Sequence, residues 1–172
     1  MKGFVLGILL CVVIAVGGGY AVLRSGLIPA SAEGTPGLLE TWAAKTSLHA
    51  TLRRDAPKGD NPIPFTDVNL IAGIDLYGTH CAICHGTARG EAAASPVARG
   101  EYPRPPQLAT HGVEDDPEGD TFWKIKHGIR WTGMPSWKDT LSDRQIWTLA
   151  LFLKHMDKLP PAAQQAWQNV RH

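Results

Sequence analysis

The sequence predicts an all-α domain carried behind a single N-terminal transmembrane helix, and three observations predict it. Residues 4–23, "FVLGILLCVVIAVGGGYAVL", run for 20 positions without a charge. Within "LSDRQIWTLALFLKHM", Ile146, Leu149, Ala150 and Leu153 fall at the i, i+3, i+4, i+7 spacing of one helical face. No stretch alternates apolar and polar residues in the manner of a half-buried strand. The 172 residues suffice for one domain plus an appendage, and are too few for two well-cored domains. A formal net charge of +1 gives no bulk signal for nucleic acid or for a polybasic membrane surface. Low-complexity runs and internal repeats are absent.

The uncharged run comes first. A helix of 20 residues spans roughly 30 Å, the thickness of a bilayer's hydrocarbon core. Lys2 precedes it and Arg24 follows it. A cleavable signal peptide competes with this reading, but its apolar region is usually shorter. The small-residue triplet "ASA" at 30–32 lies well beyond the run. Residues 1–24 are therefore expected to be a retained anchor, with the N-terminus inside and the bulk of the chain outside. Leu10 before Cys11 does not suit a lipoprotein signal, and Cys11 reads as a small apolar residue of the span.

Residues 25–66 read as a linker, part of it helical. Pro and Gly mark both ends, in "GLIPASAEGTPG" and "APKGDNPIPFT". Between them "LLETWAAKTSLHATLRR" suits one helix, with Thr35 as N-cap and Pro36 at its first position. Were the 43 residues from Arg24 to Thr66 all coil, the linker would average roughly 36 Å end to end. A fixed helix would shorten or stiffen that reach.

The next stretch, "YGTHCAICHGTARG", sets Cys81 and Cys84 two residues apart with His85 directly after. Four chemistries compete. A disulfide would close a very small loop and add little stability. A thioredoxin-like redox pair needs an alternating β/α context, which the chain lacks. Zinc needs four ligands, and this motif supplies three with no second pair elsewhere. Covalent haem uses all three residues, because Cys-x-x-Cys-His is the attachment pattern of c-type haem. Each thiol adds to a vinyl group, and the adjacent imidazole is left beside the iron. Export behind an anchor suits that chemistry.

With this motif in place, residues 67–160 resemble a class I c-type cytochrome domain, a small shell of helices around one haem. The resemblance covers a little over half the chain. The family has a small residue eight positions before the first Cys and an aromatic four before it, where this chain has Gly73 and Tyr77. Its first and last helices cross at that glycine, and Leu149 and Phe152 match the residues of the last helix that meet it. That helix opens with Ser142 and Gln145 in capping-box spacing and closes before Pro160 and Pro161. Residues 161–172 read as a C-terminal tail. In "RPPQL", Pro106 and Leu108 match a segment whose Pro carbonyl accepts the proximal His Nδ1–H while the Leu packs on the haem.

A haem iron held by one His has an opposite face, and its occupant decides function. Met134, Met156, His80, His111, His127 and His155 are the candidates. Met134 lies in "TGMPSW" between Gly133 and Pro135, a stiff loop 49 residues after His85, a separation similar to the family's. It is expected to be the sixth ligand, and Met156 to be core. Trp123, Trp131 and Trp137 are expected to line the pocket. A short helix is expected from Asp120 to His127. Glu114, Asp115, Asp116, Glu118 and Asp120 form an acidic run, and Lys124, Lys126, Arg130 and Lys138 a basic set near Met134. Together these are either a solvated face or a docking rim for an acidic partner.

The resemblance implies one covalent haem c held by Cys81, Cys84, His85, Met134, Pro106 and Leu108, with His85 and Met134 on the iron. It implies a single-electron carrier at a bacterial inner membrane, facing the periplasm, with a redox protein as donor and another as acceptor. It implies no enzyme activity, small-molecule substrate or nucleic acid. A haem subunit fixed in a larger oxidoreductase is one alternative, and a sensor or enzyme with a displaceable Met ligand is another.

Overall fold

The computed structural model describes residues 1–88 and 95–171, and among them every regular element is a helix. The chain divides into two compact units, Met1–Ala32 and Glu33–His172. The first is one helix, α1 (Lys2–Arg24), with no buried residue. Its length and composition suffice to cross a bilayer.

In the second unit the order is α2 (Leu38–Asp55), α3 (Asp67–His80), α4 (Ala82–His85), α5 (Pro96–Gly100), α6 (Glu118–His127), α7 (Asp143–Lys154) and α8 (Pro161–Asn169). A 3-10 turn, Met156–Lys158, separates α7 from α8. The core is formed mainly where α3 packs on α7 and α8, with α6 against the other side of α7.

Each boundary has a local cause. Thr66 caps α3 by accepting from Asn69 N–H at 3.3 Å. Ser142 caps α7, and the Gln145 carboxamide returns a bond to Ser142 N–H at 2.9 Å. The α3–α7 crossing lies at Gly73, which is buried. A Cβ there would sit 2.6 Å from the Thr148 carbonyl oxygen and 2.7 Å from Phe152 Cβ. Glycine lets the two backbones approach, as the sequence pattern implied. Tyr77, four residues on, meets Phe152 and Trp167 edge to face at 5.6 and 5.3 Å, and its hydroxyl donates to Gly86 O at 2.9 Å.

Three sequence expectations need revision. The helix in the linker starts at Leu38 with Gly37 as N-cap, two residues beyond the expected start at Pro36. The Glu40 carboxylate explains the choice, because it accepts from Gly37 N–H at 3.4 Å. The second half of the linker is not a tether. Leu52, Ala56 and Ile63 are buried, and Asn61 Nδ2 donates to Glu118 Oε1 at 2.7 Å and to Trp147 O at 3.0 Å. Finally, the residues after Pro160 carry α8, whose Ala163 and Trp167 are buried in the same core as Tyr77.

Candidate functional site

The Cys motif forms the turn from α3 into α4. Cys81 ends α3 with its N–H on Tyr77 O at 2.8 Å, and its own carbonyl accepts from the N–H groups of Cys84 and His85 at 3.1 and 2.9 Å. A tight helical turn of this kind brings Cys81, Cys84 and His85 together. Both cysteines are free thiols. Burial pushes the Cys81 thiol up to about 12, and the neighbouring Cys84 adds to the rise. Burial likewise raises Cys84 to about 11, helped by the Glu101 carboxylate, which accepts from its Sγ at 3.1 Å.

His85 Nδ1 lies 2.9 Å from the Pro106 carbonyl oxygen. That carbonyl can only accept, so Nδ1 carries the proton and Nε2 keeps its lone pair. Burial lowers the His85 pKa, opposed by the Pro106 bond and the Glu101 charge. A neutral imidazole with a free Nε2 is a metal ligand. The same segment holds the motif from the other side. Leu108 is buried and its N–H donates to His85 O at 3.1 Å, and Gln107 Nε2 donates to Cys84 O at 3.1 Å. Gln107 Oε1 is buried without a hydrogen-bond partner among the described residues.

Met134 is half-buried and packs against the core group that includes Leu108 and Ala82. Its loop is folded back on the end of α6. Ile129 N–H donates to Met134 O at 3.2 Å, Met134 N–H to Thr132 Oγ1 at 3.1 Å, and Trp137 N–H to Ile125 O at 3.2 Å. Gly128 makes the turn possible. Its φ is 68°, and a Cβ there would lie 2.7–2.8 Å from the backbone of Met134 and Pro135.

The other sulfur and imidazole candidates have different surroundings. Met156 is buried in the core. His155 Nδ1 lies 2.9 Å from Leu151 O. His80 packs on Trp137 at 5.1 Å and His127 on Trp123 at 4.9 Å, while His111 is exposed. The three tryptophans do not behave alike. Trp137 packs against the core, whereas Trp131 is 88% exposed with a left-handed backbone, φ 65°. That backbone turns its ring outward from the Met loop.

Two neighbours were not legible in the sequence. Besides meeting Cys84, Glu101 places a carboxylate oxygen 2.5 Å from where a Cβ on Gly133 would be, so it reaches both the Cys motif and the Met loop. Gln107, between Pro106 and Leu108, carries no signal of its own in the sequence. Both contacts join residues distant in sequence, and no local pattern signals them.

The charges near the loop are partly spent within the fold. Lys124 pairs with Asp116 at 2.6 Å and Lys126 with Asp143 at 2.7 Å. Lys154 donates to the carbonyls of Glu114 and Asp116. Among the described residues no group of three or more His, Cys, Asp and Glu side chains is arranged to hold a metal ion. The donor set is thus two unjoined thiols, one oriented imidazole and a loop thioether. Those are the donors that a covalently held haem takes, and the residues present fit it.

Comparison with known proteins finds a matching family model. The family model described as "Cytochrome C oxidase, cbb3-type, subunit III" matches residues 69–153. A search of the curated proteins finds no match. A solved chain of the Kuenenia stuttgartiensis reducing HAO-like protein complex is 23% identical with a TM-score of 0.44, over 60% of this chain. The match spans about half of that solved chain, 52%.

Proposed function

We propose, from the premise that residues 69–153 of this chain are a class I c-type cytochrome domain, that the protein is a membrane-anchored, monohaem carrier of single electrons. In this reading Cys81 and Cys84 would hold the haem covalently, and His85 and Met134 would be the residues that ligate its iron. Pro106 and Leu108 support the proximal side. The haem, when bound, supplies reversible one-electron chemistry at iron. The observation that carries the reading is the 2.9 Å contact between His85 Nδ1 and the Pro106 carbonyl, which leaves Nε2 as the free ligand atom.

The chain's own residues then divide the work. Pro106 fixes the ring orientation and tautomer of His85. The loop from Gly128 to Trp137 presents the Met134 thioether, a soft ligand that favours the reduced metal and so raises the potential. Were His85 and Met134 both to ligate the iron, the site would favour outer-sphere electron transfer over binding of oxygen or peroxide. Helix α1 keeps the domain at the membrane, and we assign the domain to the periplasmic face of a bacterial inner membrane.

Substitution at Met134 tests the assignment. Met134→His replaces the thioether by an imidazole, a better partner for Fe(III). The potential falls strongly, and the weak long-wavelength Met-to-Fe(III) charge-transfer band disappears. Met134→Ala opens the site to carbon monoxide. Met156→Ala leaves the band intact in the folded fraction. A band that survives Met134→Ala and vanishes with Met156→Ala overturns the ligand assignment. Haem that acid–acetone extracts from the wild type overturns the covalent attachment.

The matched family description names a subunit of an oxidase, and this favours a second reading. In it the chain is a haem-bearing subunit fixed in a larger oxidoreductase complex. Co-purification of a stoichiometric partner in mild detergent decides for it.

A further inference from the structure

Among the described residues, the second unit exposes large apolar side chains at several places, Val68 and Trp131 among them, and three lie together at the chain's entry into it. Leu38 is 94% exposed, Leu39 76% and Trp42 65%. Leu27 and Ile28, just beyond the end of α1, are also exposed. In the first turns of α2 these three residues share one side. At about 100° per residue, Leu38, Leu39 and Trp42 span an arc of about 100°. A different arc of α2 serves the domain, where Leu52 is buried and Leu48 half-buried. Glu40 lies away from the apolar side. Its carboxylate is held by the Tyr102 hydroxyl at 2.7 Å and by Gly37 N–H at 3.4 Å. The Leu38–Leu39–Trp42 side therefore carries no acidic residue and has no partner among the described residues.

The position of this face in the chain says what covers it. Only residues 25–37 separate Arg24, the last residue of α1, from Leu38. By random-coil scaling, 13 residues average about 20 Å. A span that ends at the headgroups therefore keeps the first turn of α2 close to them. Leucine side chains and an indole are the groups that settle at the headgroup–acyl boundary, the indole because one end is apolar and the other donates a hydrogen bond. Lys45, one turn past Trp42, suits the phosphates of the same layer.

We propose that the Leu38–Leu39–Trp42 face of α2 lies in the lipid interface of the membrane that α1 spans. The contact is a second, shallow attachment, and it limits how the domain tumbles. It rests on the anchor reading of α1, but makes a separate claim. Burying two leucines and an indole face is too little to hold a protein on a membrane alone, and enough to orient one that α1 already holds there.

The test uses the full chain with its haem, reconstituted in phospholipid nanodiscs, in a Cys11→Ala background. The polarity-sensitive dye NBD is attached to Leu39→Cys, and in a control to Ser47→Cys, an exposed position on another side of α2. Each is measured in lipid with plain or acyl-brominated chains, so that quenching by the haem cancels in the ratio. The dye at 39 is expected to emit at shorter wavelength and to be quenched by bromine several-fold more than the dye at 47. Adding Leu38→Ser and Trp42→Ser should return the dye at 39 to water while the protein stays in the disc. A dye at 39 as aqueous as that at 47 overturns the proposal and leaves the face for a protein partner. A dye at 39 still buried after both serine substitutions also overturns it, because the dye itself then drives insertion. A chain that does not enter discs at all refutes the anchor instead.

Discussion

A methyl group added at residue 73 would sit 2.6 Å from the Thr148 carbonyl oxygen. Gly73→Ala gains up to about 1 kcal/mol of helix propensity but must force α3 and α7 apart. Overpacking of a tight core typically costs about 1–3 kcal/mol, and a clash with backbone belongs at the upper end. Net destabilisation is expected, read as a lower urea midpoint. The thiols give a second residue-scale prediction. Burial strips water from the thiolate, so it disfavours the charged form and raises both pKa values, to about 12 and about 11. In Cys11→Ala chain made without haem, alkylation of Cys81 and Cys84 at pH 8 should be roughly a hundredfold or more slower than for an ordinary cysteine, and should accelerate as pH rises toward 11. Fast alkylation at neutral pH would show that the turn is not packed as described. At this scale the sequence was legible where chemistry is packed into a few consecutive residues. Cys81, Cys84 and His85 stand next to one another, and Pro106 is followed closely by Leu108. Glu101 was not legible, because it meets Cys84 across 17 positions and Gly133 across 32.

Helices α7 and α8 show the same contrast at the scale of elements. Helix α7 announces itself through Ser142, Gln145 and an apolar stripe, and it forms where the pattern places it. Helix α8 has only nine residues. It has two buried anchors, Ala163 and Trp167, among glutamines and alanines, so its period is too short to stand out. Tertiary contact supplies what the pattern lacks. Trp167 meets both Tyr77 and Phe152 edge to face, at 5.3 and 5.2 Å. Trp167→Ala should therefore cost about 3–5 kcal/mol, as loss of a core aromatic does, although it lies beyond the segment that resembles the family. Denaturation followed by helical circular dichroism checks this. A loss of less than about 1 kcal/mol, an exposed-site value, would mean that α8 is a tail after all.

For the molecule as a whole, the segment from Leu52 to Ile63 decides how much of the chain is domain. Gly119 holds it in place, since a Cβ there would sit 2.0 Å from the Pro57 carbonyl oxygen. Gly119→Ala should release this segment and let the end of α2 unwind at Arg53 and Arg54, whose side chains are already exposed but whose backbone is helical. Trypsin should then cut there several-fold faster, while the long-wavelength band of the haem site persists. Equal cutting rates in both proteins would show that the segment does not depend on this approach. The sequence marked residues 25–66 by their Pro and Gly as one linker, because composition reports breaks and not contacts. In the fold the stretch between α1 and α2 is residues 25–37, about a third of that length. In the anchored carrier proposed above, the shortening would change how the domain searches for a partner in the same membrane. The effective concentration of a flexibly linked group falls as the −3/2 power of linker length, so a threefold shorter linker raises it roughly fivefold. In that carrier the shorter linker would keep the domain near the bilayer, so that an encounter with a neighbouring redox protein would become a two-dimensional collision.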